Sequence, residues 1–370
     1  MSETPDIAPG EDRRLKYGWT TGACATAAAR AAYCALVTGS FPDPVQITLP
    51  KGQTPSFALA ASSLADGMAC AAIVKDAGDD PDVTHGALIQ VALRAAAPGS
   101  GVIFRAGDGV GTVTRPGLPL AVGEPAINPA PRRMIIENLA QARQTHGGGE
   151  DLEITISVED GEALARKTWN ARLGIMGGLS ILGTTGVVVP YSCSAWIHSI
   201  HRGIDVARAA DLLHIAASTG STSEKSVAAL YQLPLMALID MGDFVGGTLK
   251  YLRQHPVERL TIAGGFAKLS KLAAGHMDLH SKRSQVDPGF LAQLAEQAGA
   301  PPDITSAMVA SGSAGAVLQI AEKEGIAIGD SVAAAARAES LKMAEGAFDV
   351  EIIAYDRRGQ MVGRAGFASA

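Results

Sequence analysis

The sequence predicts a mixed α/β protein with two domains, an N-terminal α+β sheet domain and a C-terminal α/β domain built on a parallel sheet. The chain has 370 residues, more than one core of ordinary size holds. Apolar residues make up 47% of it, aromatic residues only 5%, and 42 residues are glycine, a mixture typical of α/β enzymes. Strand-like runs and turns alternate in the first half, whereas strand and helix patterns alternate in the second.

The first domain is predicted to span residues 15–170, after a polar, acidic and flexible tail over residues 1–14. It opens with an Ala-rich helix from about Thr21 to Leu36, with Thr21 as the predicted N-cap and Gly39 as the stop. Strand-like runs bounded by Gly, Pro or Asp follow, namely "PVQITLP", "GALIQVALR", "GVIFRAG" and "LEITISVED". These patterns predict an α+β domain with an extensive sheet.

The second domain is predicted to span residues 171–370. Three strand-then-helix units follow one another: "LLHIAAS" before "SEKSVAALYQL", "LMALIDMG" before "FVGGTLKYLRQH", and "RLTIAGG" before "AKLSKLAAG". Such units predict a parallel, doubly wound sheet with right-handed crossovers, as in Rossmann-like domains. Two more helices, "SAGAVLQIAEKEG" and "SVAAAARAESLKMAEG", and a closing hairpin, "DVEIIAYDRRGQMVGRAG", complete the domain.

Charge and cysteine content exclude several classes of protein. A net charge of −6 argues against a general nucleic-acid binder, which needs an excess of Lys and Arg. The four cysteines are Cys24, Cys34, Cys70 and Cys193, with no C-x-x-C pair, so neither a disulfide framework nor a zinc site is predicted. Free thiols of this kind are typical of a reducing cytoplasm, where we expect the protein to be located.

One segment has the length of a membrane span. Leu173 to Ile200 contains no Asp, Glu, Lys or Arg, and about 20 apolar residues suffice to cross a bilayer. Its glycines and Pro190 interrupt it, however, and unpaired backbone groups are costly in lipid. We therefore interpret the segment as buried in protein and expect no membrane association.

The predicted ligand crevice of the second domain lies beyond the carboxyl ends of its strands. Ser218 and Gly220 stand at a helix start, where free amides favour an anion or the polar end of a ligand; the alternative is an ordinary N-cap. Asp240 and Asp243, on either side of Gly242, resemble acidic residues that hold ribose hydroxyls, although acidic residues there also serve as caps. No G-x-G-x-x-G follows the first strand.

A third loop of this domain contains histidines. His276 and His280 are four residues apart, a spacing that would place both imidazoles on one face of a helix. No third ligand accompanies them, so the alternatives are a surface or packing role, or substrate binding and proton transfer by His280. We expect no protein-bound metal.

The first domain contributes three polar runs, "VKDAGDDPDVTHG", "RAGDGVGTVTRPGL" and "GEPAINPAPRRMI". The first slightly resembles a calcium loop but lacks the terminal bidentate Glu. The three runs combine carboxylates with guanidinium groups, which suits an anionic ligand that needs bidentate Arg contacts.

These runs, with "LKYGWTTGACATAAARAA", "LGIMGGLSILGTTGVVVP" and "HSKRSQVD", form an ordered series. It closely resembles the CbiD family, the cobalt-precorrin-5B C1-methyltransferases of cobalamin biosynthesis. The resemblance implies methyl transfer from S-adenosylmethionine to C1 of a ring-contracted corrinoid, giving cobalt-precorrin-6A. It implies no particular catalytic residue. The sequence departs from the family pattern at Ala171 and in "VPYSCSAW", which leaves open whether the substrate carries cobalt or is a metal-free precorrin-5 type corrinoid.

A corrinoid carries many carboxylates, so an acidic protein needs a concentrated basic patch to bind it. The candidate substrate-binding residues are Lys75, Arg105, Arg115, Asn128, Arg132, Arg133, Lys268, Lys271 and Lys282. Methyl transfer needs alignment more than acid–base chemistry. Any base would only remove or steer a proton of the macrocycle, and the candidates are Asp76, His85 and His280.

The tripeptide Thr-Thr-Gly occurs twice, in flanks too different to be copies of one unit. Thr20, Thr21 and Gly22 open the first helix, where amides could meet a corrin carboxylate; the alternative is a plain N-cap. Thr184, Thr185 and Gly186 lie in the uncharged run, which we interpret as a tight interdomain loop. There, with Gly177 and Gly178, they would let S-adenosylmethionine or the macrocycle approach the backbone; the alternative is close packing.

Two functions of other classes remain. A non-catalytic tetrapyrrole-binding carrier would keep the substrate patch without binding S-adenosylmethionine, and calorimetry distinguishes the two. A phosphate-binding, kinase-like enzyme would need a G-x-x-x-x-G-K-[ST] motif, which is absent. The sequence leaves the oligomeric state open, a homo-oligomer included.

Overall fold

The computed structural model describes residues 15–368, so the predicted tail over residues 1–14 lies outside the described residues. The chain forms two compact units. Unit 1 comprises the residues up to Thr114 with Pro119–Ala171 and Ile175–Ser192, and unit 2 comprises Arg115–Leu118, Arg172–Gly174 and the residues from Cys193 onward. The prediction placed the boundary at residue 170, whereas residues 175–192 belong to unit 1 because they pair with its strands.

Unit 1 mixes helices and mostly short strands. Its described elements are β1 (Gly18–Trp19), α1 (Thr21–Thr38), β2 (Val45–Gln46), β3 (Ser56–Phe57), β4 (Ala61–Ala65), β5 (Met68–Val74), β6 (Leu88–Ala95), β7 (Val102–Ala106), β8 (Thr112–Val113), α2 (Pro129–His146), β9 (Leu152–Val158), α3 (Gly161–Ala165), β10 (Ile175–Met176) and β11 (Val187–Val188).

Helix α1 is buried on nearly every side, which its run of small alanines permits. It packs against β5, β6 and α2. The hydroxyl of Thr20 accepts the amide of Ala23 at 3.1 Å, so Thr20 is the N-cap and the prediction of Thr21 was wrong by one residue. Gly39 ends the helix at φ 81°, a left-handed conformation that favours glycine.

The main sheet of unit 1 has the order β4-β5-β6-β9-β7, and its strands are antiparallel except that β7 runs parallel to β9. Buried and partly exposed residues alternate strictly along β9, as expected for a strand with one face in a core. The run "PVQITLP" was predicted as a strand; Val45–Gln46 pairs as a strand with Ser56–Phe57, and the amides of Ile47 and Leu49 continue by donating to the carbonyls of Pro55 and Gln53.

Unit 2 is built mainly from helices around one sheet. Its described elements are α4 (Cys193–Ala209), β12 (His214–Ser218), α5 (Ser221–Tyr231), β13 (Leu238–Asp240), α6 (Val245–Gln254), β14 (Arg259–Gly265), α7 (Phe266–Ala273), α8 (Pro288–Gln297), α9 (Pro302–Ala310), α10 (Ala314–Lys323), α11 (Ile328–Ala344), β15 (Asp349–Tyr355) and β16 (Met361–Ala365).

The sheet of unit 2 has the order β13-β12-β14-β15-β16. The first four strands are parallel, and β16 returns antiparallel to β15. Ile215, Ala217 and Ile262 face the large core, whereas Ala216 and Ala263 pack with Val227 of α5 on the other face. The strand order reverses between β12 and β14, and in open α/β sheets ligands bind at the carboxyl ends of strands beside such a reversal.

The uncharged segment from Leu173 to Ile200 is not one loop, as predicted, but contains β10, β11 and the start of α4. Gly178 packs against backbone, since a Cβ on it would lie 2.3 Å from the carbonyl carbon of Gly109. Across residues 15–368, no helix has the length and apolarity needed to cross a membrane.

Candidate functional site

The carboxyl ends of β12, β13 and β14 bring together six of the predicted residues within unit 2. We call this set, Ser218, Gly220, Asp240, Gly242, Asp243 and Lys268, the strand-end site. Ser218 is the last residue of β12, and its Cα pairs with those of Asp240 and Ala263 on the two neighbouring strands. Side chains at paired positions point to the same face of a sheet, so the Ser218 and Asp240 side chains share a face.

Two kinds of hydrogen-bonding group at the start of α5 lack a partner. Ser218 is 1% exposed, and its hydroxyl has no hydrogen-bond partner among the described residues. Gly220 precedes α5 without a side-chain cap, and no acceptor in the described chain is paired with the amides of residues 221–223. Buried polar groups are normally hydrogen-bonded, so the start of α5 lacks an acceptor that a ligand could supply.

Asp240 is a partly buried carboxylate at the end of β13. Burial, with the neighbouring Glu224 carboxylate, raises the pKa of Asp240, while Arg172 opposes the shift. Arg172 holds Glu224 through two hydrogen bonds of 2.6 and 2.8 Å and donates a third to the carbonyl of Leu238 at 3.2 Å. Burial and Glu224 thus favour the protonated form of Asp240, whereas Arg172 favours the ionised form, which accepts hydrogen bonds.

Lys268, in the first turn of α7, connects the loops that follow β12 and β13. Its ammonium donates to the carbonyl of Thr219 at 2.8 Å and lies 3.0 Å from a carboxylate oxygen of Asp243. Gly242, at φ 56°, lies beneath the Trp196 ring, whose Nε1 donates to the carbonyl of Asp240 at 3.1 Å. The predicted substrate residue Lys268 therefore lies among the predicted cofactor residues.

The other predicted residues of the third loop lie outside the strand-end site. Lys271 is buried and donates to the carbonyl of Leu279 at 2.9 Å, which fixes its own loop. His276 and His280 lie beyond the end of α7, so they do not share a helix face as the spacing suggested. In the described chain, no group of His, Cys, Asp and Glu side chains is placed to hold a metal ion. Lys282 is exposed.

The loop after β5 in unit 1 contains three predicted residues, each with a partner from the same unit. Lys75 is 1% exposed and donates to Asp82 at 2.6 Å. Hydrogen bonds from Lys16 and the amide of Gly78 lower the pKa of Asp76, which weakens it as a base.

The two candidate histidines also accept hydrogen bonds from backbone amides. The Nδ1 atom of His85 accepts from Ala77 at 3.1 Å, and that of His280 accepts from Lys282 at 3.2 Å. A neutral ring that accepts at Nδ1 carries its proton on Nε2. Both imidazoles thus present a donor rather than an acceptor to solvent.

The two Thr-Thr-Gly stretches lie against each other in unit 1. The amide of Gly22 donates to the carbonyl of Leu182 at 2.8 Å, and the hydroxyl of Thr21 accepts the amide of Leu182 at 2.9 Å. The amide of Thr20 donates to the carbonyl of Gly186 at 3.0 Å. The chain itself therefore supplies partners at the start of α1.

The second stretch has the features of close packing. Thr185 Oγ1 accepts the amide of Val187 at 3.3 Å, and a Cβ on Gly186 would lie 2.5 Å from the Leu49 side chain. Thr184 is exposed, and Gly177, at φ 84°, has open space around it. All these residues belong to unit 1, whereas the other predicted cofactor residues belong to unit 2.

Arg132 has its hydrogen bonds satisfied within unit 1. It donates to the carbonyls of Ile127 at 2.8 Å and Pro125 at 3.2 Å, and it pairs with Glu124 at 2.7 Å. Its guanidinium also lies 5.5 Å from the ring centre of Phe104. These contacts tie the loop before α2 to the helix.

Arg133, the next residue, is exposed and has no side-chain partner among residues 15–368. It lines a groove of about 500 Å³ in unit 1, together with Leu120, Pro129 and Ile136. Asn128 stands at the N-cap of α2 without making a side-chain cap bond. The groove thus combines apolar walls, the Arg132–Glu124 ion pair and the cation of Arg133, which has no described partner.

Two more arginines of the predicted patch differ in their partners. Arg105 lies 3.3 Å from Glu153, which Arg94 also contacts. Arg115 is exposed, belongs to unit 2 and contacts the Met236 sulfur at 3.8 Å. Sequence reasoning missed the Arg172–Glu224 pair and Trp196; Glu224 in a first helical turn is a recognisable signal, whereas Arg172 lies 52 residues away from it.

Comparison with known proteins identifies relatives over nearly the whole chain. The family model described as CbiD matches residues 8–190, and that described as CbiD, C-terminal domain, matches residues 278–366. Proteins of Brucella canis and Brucella suis biovar 1, both named cobalt-precorrin-5B C(1)-methyltransferase, are 60% identical over 362 residues, covering 98% of this chain and of each relative. A crystal structure of the cobalamin biosynthesis protein CbiD from Archaeoglobus fulgidus is 26% identical and covers 84% of this chain and 85% of its own, with a TM-score of 0.39. The chain belongs to the CbiD family.

Proposed function

We propose that this protein is an S-adenosylmethionine-dependent methyltransferase that methylates C1 of cobalt-precorrin-5B to give cobalt-precorrin-6A in cobalamin biosynthesis. The observation that carries the proposal is the 60% identity, over 98% of both chains, to relatives named for this reaction. Both family models agree with it. A metal-free corrinoid of the same ring is the alternative substrate.

We further propose that unit 2 is a Rossmann-like domain and binds S-adenosylmethionine at the strand-end site. The reversal of strand order between β12 and β14 supports this, because ligands of open α/β sheets bind beside such a reversal. Two groups fit the cofactor: the unpartnered Ser218 hydroxyl and the Asp240 carboxylate, which suits ribose hydroxyls. S-adenosylmethionine supplies a methyl group on a sulfonium, and the neutral thioether that remains is a good leaving group.

The residues of the chain are then needed mainly for alignment. Asp240 would fix the nucleoside, and the loop from Ser218 to Gly220 would fix its other end. Orientation of this kind can supply about 7 to 11 kcal/mol of barrier reduction. This accounts for a strand-end site that contains no histidine.

For the corrinoid, we propose binding at the groove of unit 1, with Arg133 as the cation for a peripheral carboxylate. Arg133 has no partner in the described chain, whereas Lys75, Arg105 and Arg132 each contact a carboxylate of their own unit.

Of the three candidate bases, Asp76 is the least suited to proton abstraction, because its pKa is lowered. We propose that His85 and His280 act, if they contact the macrocycle, as hydrogen-bond donors through Nε2. Their Nδ1 atoms already accept backbone amides.

The test is direct. Purified protein is incubated with cobalt-precorrin-5B, or the metal-free corrinoid, and S-adenosylmethionine carrying a ¹³C methyl group. We expect a product heavier by one labelled methyl, assigned to C1 by NMR, and one equivalent of S-adenosylhomocysteine.

A carrier gives a different result in the same experiment. It would bind the corrinoid and produce neither labelled corrinoid nor S-adenosylhomocysteine. That outcome would replace the methyltransferase proposal with the non-catalytic alternative.

A further inference from the structure

The proposed nucleoside contact, through Asp240, leaves the hydrogen-bond donors at the start of α5 without a partner. The recess combines the amides of residues 221–223, which no described acceptor pairs with, and the hydroxyl of Ser218. All of these groups can donate a hydrogen bond, and the helix dipole adds partial positive charge. The recess therefore selects an anionic or strongly accepting group.

The Ser218 side chain lies next to the start of α5. Ser218 pairs with Ala263, and Ala263 packs with Val227 of α5, so Ser218 lies on the face that α5 covers. It is the last residue of its strand, and α5 begins three residues later. The buried hydroxyl thus lies beside the first turn of the helix.

Lys268 adds a cation at the same loop, because its ammonium donates to the carbonyl of Thr219. The wider surroundings are acidic, since the carboxylates of Glu224, Asp240 and Asp243 outnumber the cations Arg172 and Lys268. A free phosphate dianion would be repelled there. A ligand with one carboxylate and compensating positive charge is favoured, and S-adenosylmethionine, with an ammonium and a sulfonium, is such a ligand.

We propose that the recess formed by Ser218 and the first turn of α5 binds the α-carboxylate of the amino-acid end of S-adenosylmethionine. This rests on the proposed function, and it fixes which end of the cofactor lies where. The ribose lies at the end of β13. The amino-acid end extends past the end of β12 to the first turn of α5 and Lys268. Ser218 is then a specificity-determining residue for the carboxylate.

The test compares two ligands by calorimetry: S-adenosylhomocysteine and its decarboxylated analogue, which keeps the nucleoside, sulfur and ammonium. The wild-type protein should bind the complete ligand at least about tenfold more tightly, as hydrogen bonds to a charged group predict. Ser218→Ala should weaken the binding of S-adenosylhomocysteine about 10- to 100-fold and leave the affinity for the analogue unchanged.

Ser223→Ala is the matched control. Ser223 is 4% exposed, lies in the same turn, and already donates its hydroxyl to the carbonyl of Gly220 at 2.9 Å. It should keep the wild-type preference for the carboxylate. Lys268→Gln, at a half-buried position, should reduce that preference and serves if Ser218→Ala does not fold.

Three outcomes would overturn the proposal. Equal binding of the two ligands by the wild type, or equal weakening of both by Ser218→Ala, would remove the carboxylate from this recess while leaving a nucleoside site in place. Competition by inorganic phosphate without any ligand preference would make it a phosphate site. Failure of both ligands to bind would overturn the cofactor site of unit 2 as a whole.

Discussion

Two helix starts in this molecule have similar sequences and opposite surroundings. Thr20, Thr21 and Gly22 open α1, and residues 218–220, with the sequence Ser-Thr-Gly, precede α5. At α1 the chain fills the site, since the amide of Gly22 donates to Leu182 and that of Ala23 to Thr20. At α5 the corresponding amides and the Ser218 hydroxyl have no described partner. A helix start is therefore a candidate ligand site only where the rest of the chain does not supply the acceptors.

The largest loss of stability is expected at the start of α1, where the packing around Gly183 is tightest. Gly183 has φ 126°, and a Cβ there would lie 2.1 Å from Thr20 Oγ1. Gly183→Ala should lower the free energy of unfolding by about 2 to 5 kcal/mol, combining backbone strain with overpacking. Urea denaturation measures this. Gly177→Ala, at φ 84° in open space, should cost only about 1 to 2 kcal/mol, and equal losses would contradict the crowding at α1.

The next contrast concerns adjacent arginines. The sequence predicts both Arg132 and Arg133 as substrate residues, and in the structure Arg132 also donates to the carbonyls of Ile127 and Pro125. Arg132→Ala should lower the free energy of unfolding by about 1.5 to 3 kcal/mol. Arg133→Ala should change stability by less than about 0.5 kcal/mol and raise the KM for the corrinoid. Thermal unfolding and steady-state kinetics measure both, and an unchanged KM for Arg133→Ala would remove the groove from the substrate site.

The open site should respond to pH through Asp240. Its pKa lies above the ordinary 3.8 because of burial and Glu224, and Arg172 opposes that shift. Ribose hydroxyls donate to the ionised carboxylate, so affinity for S-adenosylhomocysteine should be full above the raised pKa and fall as pH drops through it. Arg172→Gln should move this fall to higher pH, and Glu224→Gln should move it to lower pH.

A separation of one pH unit between these two variants would correspond to about a tenfold difference in affinity at acid pH. Calorimetric titrations from neutral to acid pH measure it. Shifts in the same direction for both variants would show that loss of the pair deforms the loop, and would contradict an electrostatic role for Arg172.

Much of the fold follows from local patterns. The three strand-then-helix units of unit 2 were predicted because apolar runs of strand length alternate with helical periodicity, and the strands and helices occur at those places. The helix α4 was missed because its first residues belong to the uncharged run from Leu173 to Ile200, which was interpreted as a loop. The assignment of residues 175–192 to unit 1 depends on β1 pairing with β11, a contact between residues about 170 positions apart.

The site was predictable only in part. Residue type and position after a strand pointed to Ser218, Asp240 and Asp243, whose grouping depends on the sheet. No local pattern distinguishes Arg132 from Arg133. The difference arises because the loop before α2 directs two carbonyl groups, those of Ile127 and Pro125, toward Arg132 alone. Similarly, the Thr-Thr-Gly letters do not reveal that Leu182 fills the start of α1.

The smallest effect is expected when a single hydroxyl is removed at the start of α1. Thr20→Val preserves shape but removes the oxygen that accepts the amide of Ala23, so unfolding free energy should fall by about 1 kcal/mol. Thr184→Val, at an exposed position, should change it by less than about 0.5 kcal/mol. Neither variant should alter binding of S-adenosylhomocysteine if that ligand is held only in unit 2. Weakened binding of S-adenosylhomocysteine by Thr184→Val, with stability unchanged, would make the second Thr-Thr-Gly stretch a cofactor contact. The cofactor site would then extend beyond the open start of α5.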